Sequence, residues 1–188
     1  RRPRTILLSG CRHLTMSGIT VQNSPSWTVH PVLCEDVLAA GLTIRNHPDS
    51  PNTDGLNPES SQNIRLVGLD ISVGDDCVAI KAGKRDPRGG PDRPTSNVEI
   101  RNCLMQRGHG AVVMGSEMSQ GISDVTISRC HFIGTDRGLR IKTRRGRGGS
   151  VSNIRVHDCR MEHVATPIAV NAFYFCDADG RSDVYAAG

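Results

Sequence analysis

The sequence predicts an all-β protein, a right-handed single-stranded parallel β-helix, on three observations. A nine-residue pattern recurs at near-constant spacing, its apolar positions alternate, and helical periodicity does not fit it. The copies cover residues 63–71, 97–105, 124–132 and 153–161, offset by 34, 27 and 29 residues. Weaker copies start near Arg12 and Asp36. Repetition of this length marks a solenoid, in which each unit buries its apolar face only by stacking on the next.

Within each copy, apolar residues take the second, fourth, seventh and ninth places, as Ile64, Leu66, Leu69 and Ile71 do. Two short alternating strands, joined by a corner that shifts the phase by one residue, account for that order. Each strand edge needs a partner, and the same strand of the next turn supplies it, parallel and about 4.8 Å away. The interior becomes a column of Val, Ile, Leu and Cys. The Asn or Asp that opens each copy is expected to mark a turn and to bond nearby backbone. A leucine-rich repeat is the rival solenoid, but its helical half and its Leu-x-x-Leu-x-Leu framework are both missing.

At 188 residues the chain is long enough for one core and too short for two ordinary domains. Its first residues already read as a strand in mid-repeat. Residues 1–188 are therefore expected to form a single β-helix domain lacking flanking turns at one or both ends, with apolar rungs exposed there. No signal-like apolar leader and no transmembrane run is visible, which tells little about a cut piece.

The 23 Lys and Arg against 19 Asp and Glu give a net charge of +4, suited to polyanions. Phe, Trp and Tyr together number six, so platforms for stacking bases are nearly absent and nucleic acid is not the expected partner. A membrane is not expected either. The basic run from Arg144 to Arg147 reads as a solvated loop. No two of the seven cysteines are two to four residues apart, which argues against a zinc site. Cys103, Cys130 and Cys159 share one phase of the repeat, where a small thiol packs as an apolar residue.

Chemistry concentrates in four polar motifs spaced by roughly one turn: Asn52-Thr53-Asp54-Gly55, Gly74-Asp75-Asp76-Cys77, Gly108-His109-Gly110 and Arg140-Ile141-Lys142. Stacked turns would bring them into one cleft. Asp75 and Asp76, being adjacent, would point to opposite faces of a regular strand, so both reach the cleft only if the chain bends at Gly74. Three carboxylates, an imidazole and two permanent cations suit acid/base hydrolysis of an anionic substrate.

Together with the upstream segment from Asn23 to Pro31, the four motifs resemble, in order and spacing, glycoside hydrolase family 28, the polygalacturonases and their relatives. The resemblance covers essentially the whole chain. It implies a pectin-lyase-like right-handed β-helix and inverting hydrolysis of α-1,4 linkages between galacturonic acid units. Carried across, it makes Asp75 the general acid, with Asp54 and Asp76 holding and deprotonating the attacking water. His109 would support the acid, and Arg140 and Lys142 would bind the uronate carboxylate. Asn52 would orient carboxylates or sugar hydroxyls. Tyr174 corresponds to a substrate-contacting tyrosine that in the family often directly precedes a cysteine, whereas Phe175 intervenes here.

One carboxyl of such a cluster must stay protonated while its neighbours are ionised, and like charges held together raise the pKa of one member. Inversion also needs roughly 6.5–9.5 Å between acid and base. No metal or organic cofactor is implied. The wording resembles bacterial exo-acting members, and the Gly/Pro-rich stretch from Lys84 to Pro94 is expected to be a loop at the cleft rim. Trp27 is expected to pack rather than to bind. Cys77 and Cys103 either bridge adjacent turns in an oxidising compartment or remain thiols. The resemblance implies a secreted or periplasmic protein, with a cytoplasmic one also open. Two other functions remain: a Ca²⁺-dependent pectate-lyase-like β-elimination, and a non-catalytic uronan-binding or structural β-helix.

Overall fold

A computed structural model describes residues 2–84 and 92–174. The described residues form eighteen strands. In chain order they are β1 (Ile6–Ser9), β2 (Arg12–Ser17), β3 (Thr20–Gln22), β4 (Val29–Val32), β5 (Glu35–Ala40) and β6 (Thr43–Arg45). There follow β7 (Gln62–Val67), β8 (Asp70–Ser72), β9 (Asp76–Ile80), β10 (Thr95–Arg101), β11 (Leu104–Gln106) and β12 (Gly110–Gly115). The last are β13 (Ile122–Ser128), β14 (His131–Ile133), β15 (Arg137–Lys142), β16 (Val151–His157), β17 (Arg160–Glu162) and β18 (Thr166–Asn171).

These strands wind into the expected right-handed parallel β-helix of about six turns. One face is the sheet β2-β5-β7-β10-β13-β16, and a second is β3-β6-β8-β11-β14-β17. The third joins the pair β1-β4 to β9-β12-β15-β18 through Leu56 and Glu59, each of which bridges β4 on one side and β9 or its following residue on the other. Register is strict. Ile64 pairs with Val37 and Val98, and Ile71 with Ile44 and Met105.

The four apolar places of each copy point inward, as expected: Ile64, Leu66, Leu69 and Ile71 are at most 1 % exposed. The third strand of each turn behaves differently. In β4, β9 and β12 every residue is buried, so no alternation marks them in the sequence. Val78 and Val112 belong to the interior column, whereas Ala79 and Val113 are buried outside it, on the outer face of the third sheet.

The Asn and Asp that open each copy do something other than cap a turn. Asp36, Asn63, Asn97, Asp124 and Asn153 sit within strands at φ between 54° and 57°, a left-handed conformation that these residue types tolerate best. Their side chains bond one another from turn to turn rather than backbone: Asn63 donates to Asp36 at 3.0 Å, Asn97 to Asn63 at 2.8 Å, and Asn153 to Asp124. The first face carries a groove of about 630 Å³ lined by Asp36, Asn63, Asn97 and Asp124, which none of the four polar motifs enters.

Cys77 and Cys103 are not bridged; both are free, buried thiols. Their positions explain it, since Cys77 lies in β9 of the third face and Cys103 at the corner between β10 and β11. Cys103, Cys130 and Cys159 do stack, each thiol donating to a carbonyl of the preceding turn, Leu66, Ile100 and Ile127 respectively. The basic run is not uniformly solvated, because Arg147 is buried. At the two ends of the column, Leu7, Ile19, Ile168 and Val170 are exposed.

Leu66 is fully buried in this column, so Leu66→Ala should destabilise the chain by about 2–5 kcal/mol. Denaturant unfolding measures this, and a loss below about 1 kcal/mol would show that the column collapses around the gap.

Candidate active site

The third face brings the motifs together because parallel register aligns neighbouring turns. Gly55 N–H donates to Asp76 O and Leu56 N–H to Cys77 O, which places Asp54 beside Asp76. Gly110 pairs with Asp76, and Gly115 with Lys142. Asp76 opens β9, whereas Asp75 lies just before it, past the bend at Gly74. A side chain at Gly74 would come within 2.5 Å of Ser50 O, so the bend exists only because the backbone of the preceding turn can approach there.

The three carboxyls differ in depth and partners. Asp76 is 1 % exposed; its Oδ2 accepts from Lys142 Nζ at 2.7 Å, and its Oδ1 is buried without a hydrogen-bond partner among the described residues. Asp54 is also buried and accepts from Asn57 Nδ2 at 2.7 Å. Asp75 is the more accessible, accepting from the Asp76 backbone N–H at 3.0 Å and the Asn52 N–H at 3.1 Å. His109 Nδ1 stands 3.3 Å from Asp75 Oδ1 on a half-exposed ring. Gly108 makes this contact possible: its φ is +77°, and a Cβ there would lie 2.2 Å from Asp75 O.

Burial pushes the Asp54 carboxyl up from 3.8 to about 7. The charge on Lys81 pulls it back, those on Asp76 and Asp75 push it further up, and the Asn57 bond lowers it. Asp54 therefore holds its proton well above the usual carboxylate range.

Asn52 reaches the site through its backbone N–H rather than its amide, whose Oδ1 instead accepts from Arg2 Nη2 at 2.9 Å. Lys142 is buried against Asp76, while Arg140 is half-exposed. The ring of Tyr174 lies 5.2 Å from both the Arg140 guanidinium and the Lys142 ammonium, so the tyrosine shares the cleft with the two cations. Of the rim stretch, residues 85–91 lie outside the described residues. Arg93 turns inward, donating to Ser60 O at 2.7 Å and Cys34 O at 3.1 Å.

Sequence reasoning missed a second buried polar group beside the carboxylates. Lys81 Nζ donates to Glu117 Oε2 at 2.8 Å and to Gly115 O at 3.3 Å. One strand away, His30 Nε2 and Glu59 Oε2 are 2.8 Å apart. Trp27 packs over this group as expected, its ring centroid 4.6 Å from Lys81 Nζ, 4.5 Å from the Arg4 guanidinium and 5.0 Å from the His30 ring. The missed signal was a lysine inside the apolar run from Val78 to Ala82. Among the described residues no group of three His, Cys, Asp or Glu is arranged to hold a metal ion.

Two outcomes follow from this geometry. Folded Asp54 keeps its proton to about pH 7 while the unfolded chain loses it near 3.8, so this group's contribution to stability falls as pH rises between those values. Asp54→Asn should thus leave stability near pH 4 little changed and raise it above pH 7, by up to about 4 kcal/mol from a three-unit difference. Equal differences at pH 4 and pH 8 in denaturant titrations would contradict this. Gly108→Ala should separate His109 from Asp75 and destabilise by at least about 1 kcal/mol; unchanged unfolding and an unchanged His109 imidazole NMR signal would contradict it.

The profile of the glycosyl hydrolases family 28 matches residues 1–183. Among curated relatives, a probable polygalacturonase of Vitis vinifera is 39 % identical over 183 residues, covering 97 % of this chain and 37 % of that protein. A polygalacturonase of Chamaecyparis obtusa is 34 % identical, covering 94 % and 33 %. Among solved structures, a hyperthermoactive exopolygalacturonase from Thermotoga maritima superposes with a TM-score of 0.86 at 34 % identity, over 92 % of this chain and 39 % of that one. A polygalacturonase from Erwinia carotovora ssp. carotovora gives 0.84 at 33 %, over 92 % and 44 %. The chain thus spans between a third and a half of the length of these relatives. Motifs, coil and profile agree, and the chain belongs to glycosyl hydrolases family 28.

Proposed function

We propose that the site hydrolyses α-1,4-galacturonosyl linkages of polygalacturonate or its oligomers with inversion at the anomeric carbon. The observation that carries this reading is the division of labour among the three carboxyls. Asp75 is accessible and faces an imidazole, as a group that must touch the departing glycosidic oxygen requires. Asp76 is held by Lys142 through one oxygen and keeps the other for a further donor, which suits a carboxylate that orients water. Asp54, beside it and fixed by Asn57, is the second member of the water-holding pair.

In the proposed step, Asp75 gives its proton to the glycosidic oxygen as the C–O bond breaks. Water attacks the anomeric carbon from the opposite side, and its proton passes to the Asp54–Asp76 pair. Asp75 is left as a carboxylate and regains its proton from solvent. The uronate carboxylate is held by Arg140, whose planar fork matches a carboxylate bidentately, with Lys142 supplying a second charge. Tyr174, against both cations, completes the wall of that pocket. Calcium-dependent elimination is disfavoured because Asp76 already carries an ammonium counter-charge in the dry part of the site. The exo-acting relative from Thermotoga maritima makes release of single units the first mode to test.

The test is incubation of the chain and its Asp75→Asn variant with defined galacturonate oligomers in chelator, with products followed by mass. Saturated products are expected from the parent. The variant should lose at least about a hundredfold in turnover while still binding oligomers; turnover within tenfold of the parent would refute the general-acid role. Unsaturated, ultraviolet-absorbing products would establish elimination instead, and absence of any product would leave a binding role.

A further inference from the structure

The turn that carries Arg140 and Lys142 holds a third cation, Arg137, at the start of β15, and the proposed reaction gives it nothing to do. Strand register places it on the cleft. Gly110 pairs with Asp76, and the pairing of Val112 with Leu139 sets Arg137 opposite Gly110, so Asp54, Asp76, Gly110 and Arg137 follow one another on successive turns. This row faces outward. A Cβ on Gly110 would lie 3.3 Å from Asp76 Oδ1 and 2.4 Å from Cγ2 of Val113, which is buried outside the interior column. The same Cβ would lie 3.9 Å from Arg137 O. Farther along β15, Gly138 and Leu139 both turn inward: a Cβ on Gly138 would meet Met161 Sδ at 2.7 Å, and Met161 and Leu139 pack against the column. The residues that flank this inward pair, Arg137 and Arg140, face the cleft.

Gly110 thus leaves a slot in the cleft floor, bounded by the Asp76 carboxylate on one turn and by Arg137 on the next. Partners set Arg137 apart from the two cations already placed. Lys142 is committed to Asp76 at 2.7 Å, and the Arg140 guanidinium lies against the Tyr174 ring. Arg137 donates from Nη1 to Asp136 O in an exposed hydrogen bond, and among the described residues it forms no ion pair. A guanidinium carries five donors in a planar fork, so most of them remain for a ligand. Three residues of extended chain separate Arg137 from Arg140, about 10 Å of backbone, so each can take its own carboxylate.

We propose that Arg137 is a specificity-determining residue: its guanidinium holds the carboxylate of a second uronate unit, beside the unit held by Arg140, in the slot that Gly110 leaves open.

This role rests on the galacturonan reading of the cleft and gives it a chemical preference. The unit in the slot must carry a free carboxylate, because a methyl ester loses the charge that strengthens the bidentate contact.

Trigalacturonate and its three singly methyl-esterified forms are titrated calorimetrically into the Asp75→Asn chain, and into the same chain carrying Arg137→Gln or Arg140→Gln. One ester should bind the Asp75→Asn chain about tenfold or more weaker than the acid does. Arg137→Gln should weaken the acid by a similar factor and bind that ester no worse than the acid, so that the two changes together cost no more than one. Arg140→Gln should couple in the same way to a different ester. Arg137→Lys should keep part of the affinity, because a point charge lacks the fork. Losses on Arg137→Gln that are absent, or equal for the acid and all three esters, overturn the role of Arg137. Coupling to the same ester as Arg140 overturns it too. Should Arg137→Gln not fold, the same cycle with Arg137→Lys decides. Binding by the parent without any product sinks the hydrolysis alone, whereas no binding of trigalacturonate sinks both.

Discussion

Every feature of this protein depends on one constraint: each strand's backbone hydrogen bonds are satisfied only by the equivalent strand one turn away. A single register therefore governs the whole column. Val37, Ile64, Val98, Val125 and Ile154 follow one another across successive turns, and a slip of one residue would turn this row outward. The same register fixes the chemistry. Asp54 meets Asp76 because Gly55 and Leu56 bond the carbonyls of Asp76 and Cys77, and Lys142 meets Asp76 across β12.

The constraint also explains which parts of the fold were legible. The first two faces have one side inside and one in water, so their strands carry a plain alternation, and the repeat could be read from Ile64, Leu66, Leu69 and Ile71 alone. The third face is covered on both sides, inside by the column and outside by the charged side chains of the cleft. Its strands β9 and β12 show no alternation, and only their polar motifs betrayed them. The openings of the repeats were recognised as special but misread, because turn and mid-strand bend use the same residue types. The ladder between Asn63, Asn97 and Asp36 arises from stacking, which no single copy displays.

At the site, the residues that touch one another in neighbouring turns were found by spacing, and those that act through burial were not. Asn52 lay in a recognised motif, yet its contribution comes from a backbone N–H that any residue but proline could offer in that conformation. Asn57 and Glu117 hold Asp54 and Lys81, but nothing in their sequence neighbourhoods distinguishes them from ordinary surface polar residues. Lys81 did leave a trace, a charge in the middle of an apolar run. Such a residue is retained only where a partner meets its desolvation, and that partner is 36 residues away.

The distribution of the carboxylates over neighbouring turns bears on how the molecule comes into being. Asp54 and Asp76 meet only when the turn holding β9 has docked on the one before it. The buried counter-charge of Asp76, Lys142, comes from a turn built after that. During synthesis from the N-terminus, the growing column thus holds Asp76 without the Lys142 ammonium until two further turns have been added. Until then burial of that charge is opposed, and the nascent cleft stays open and hydrated. Lys142, proposed above to hold a uronate carboxylate, would then also be the group that closes the site when its turn is added.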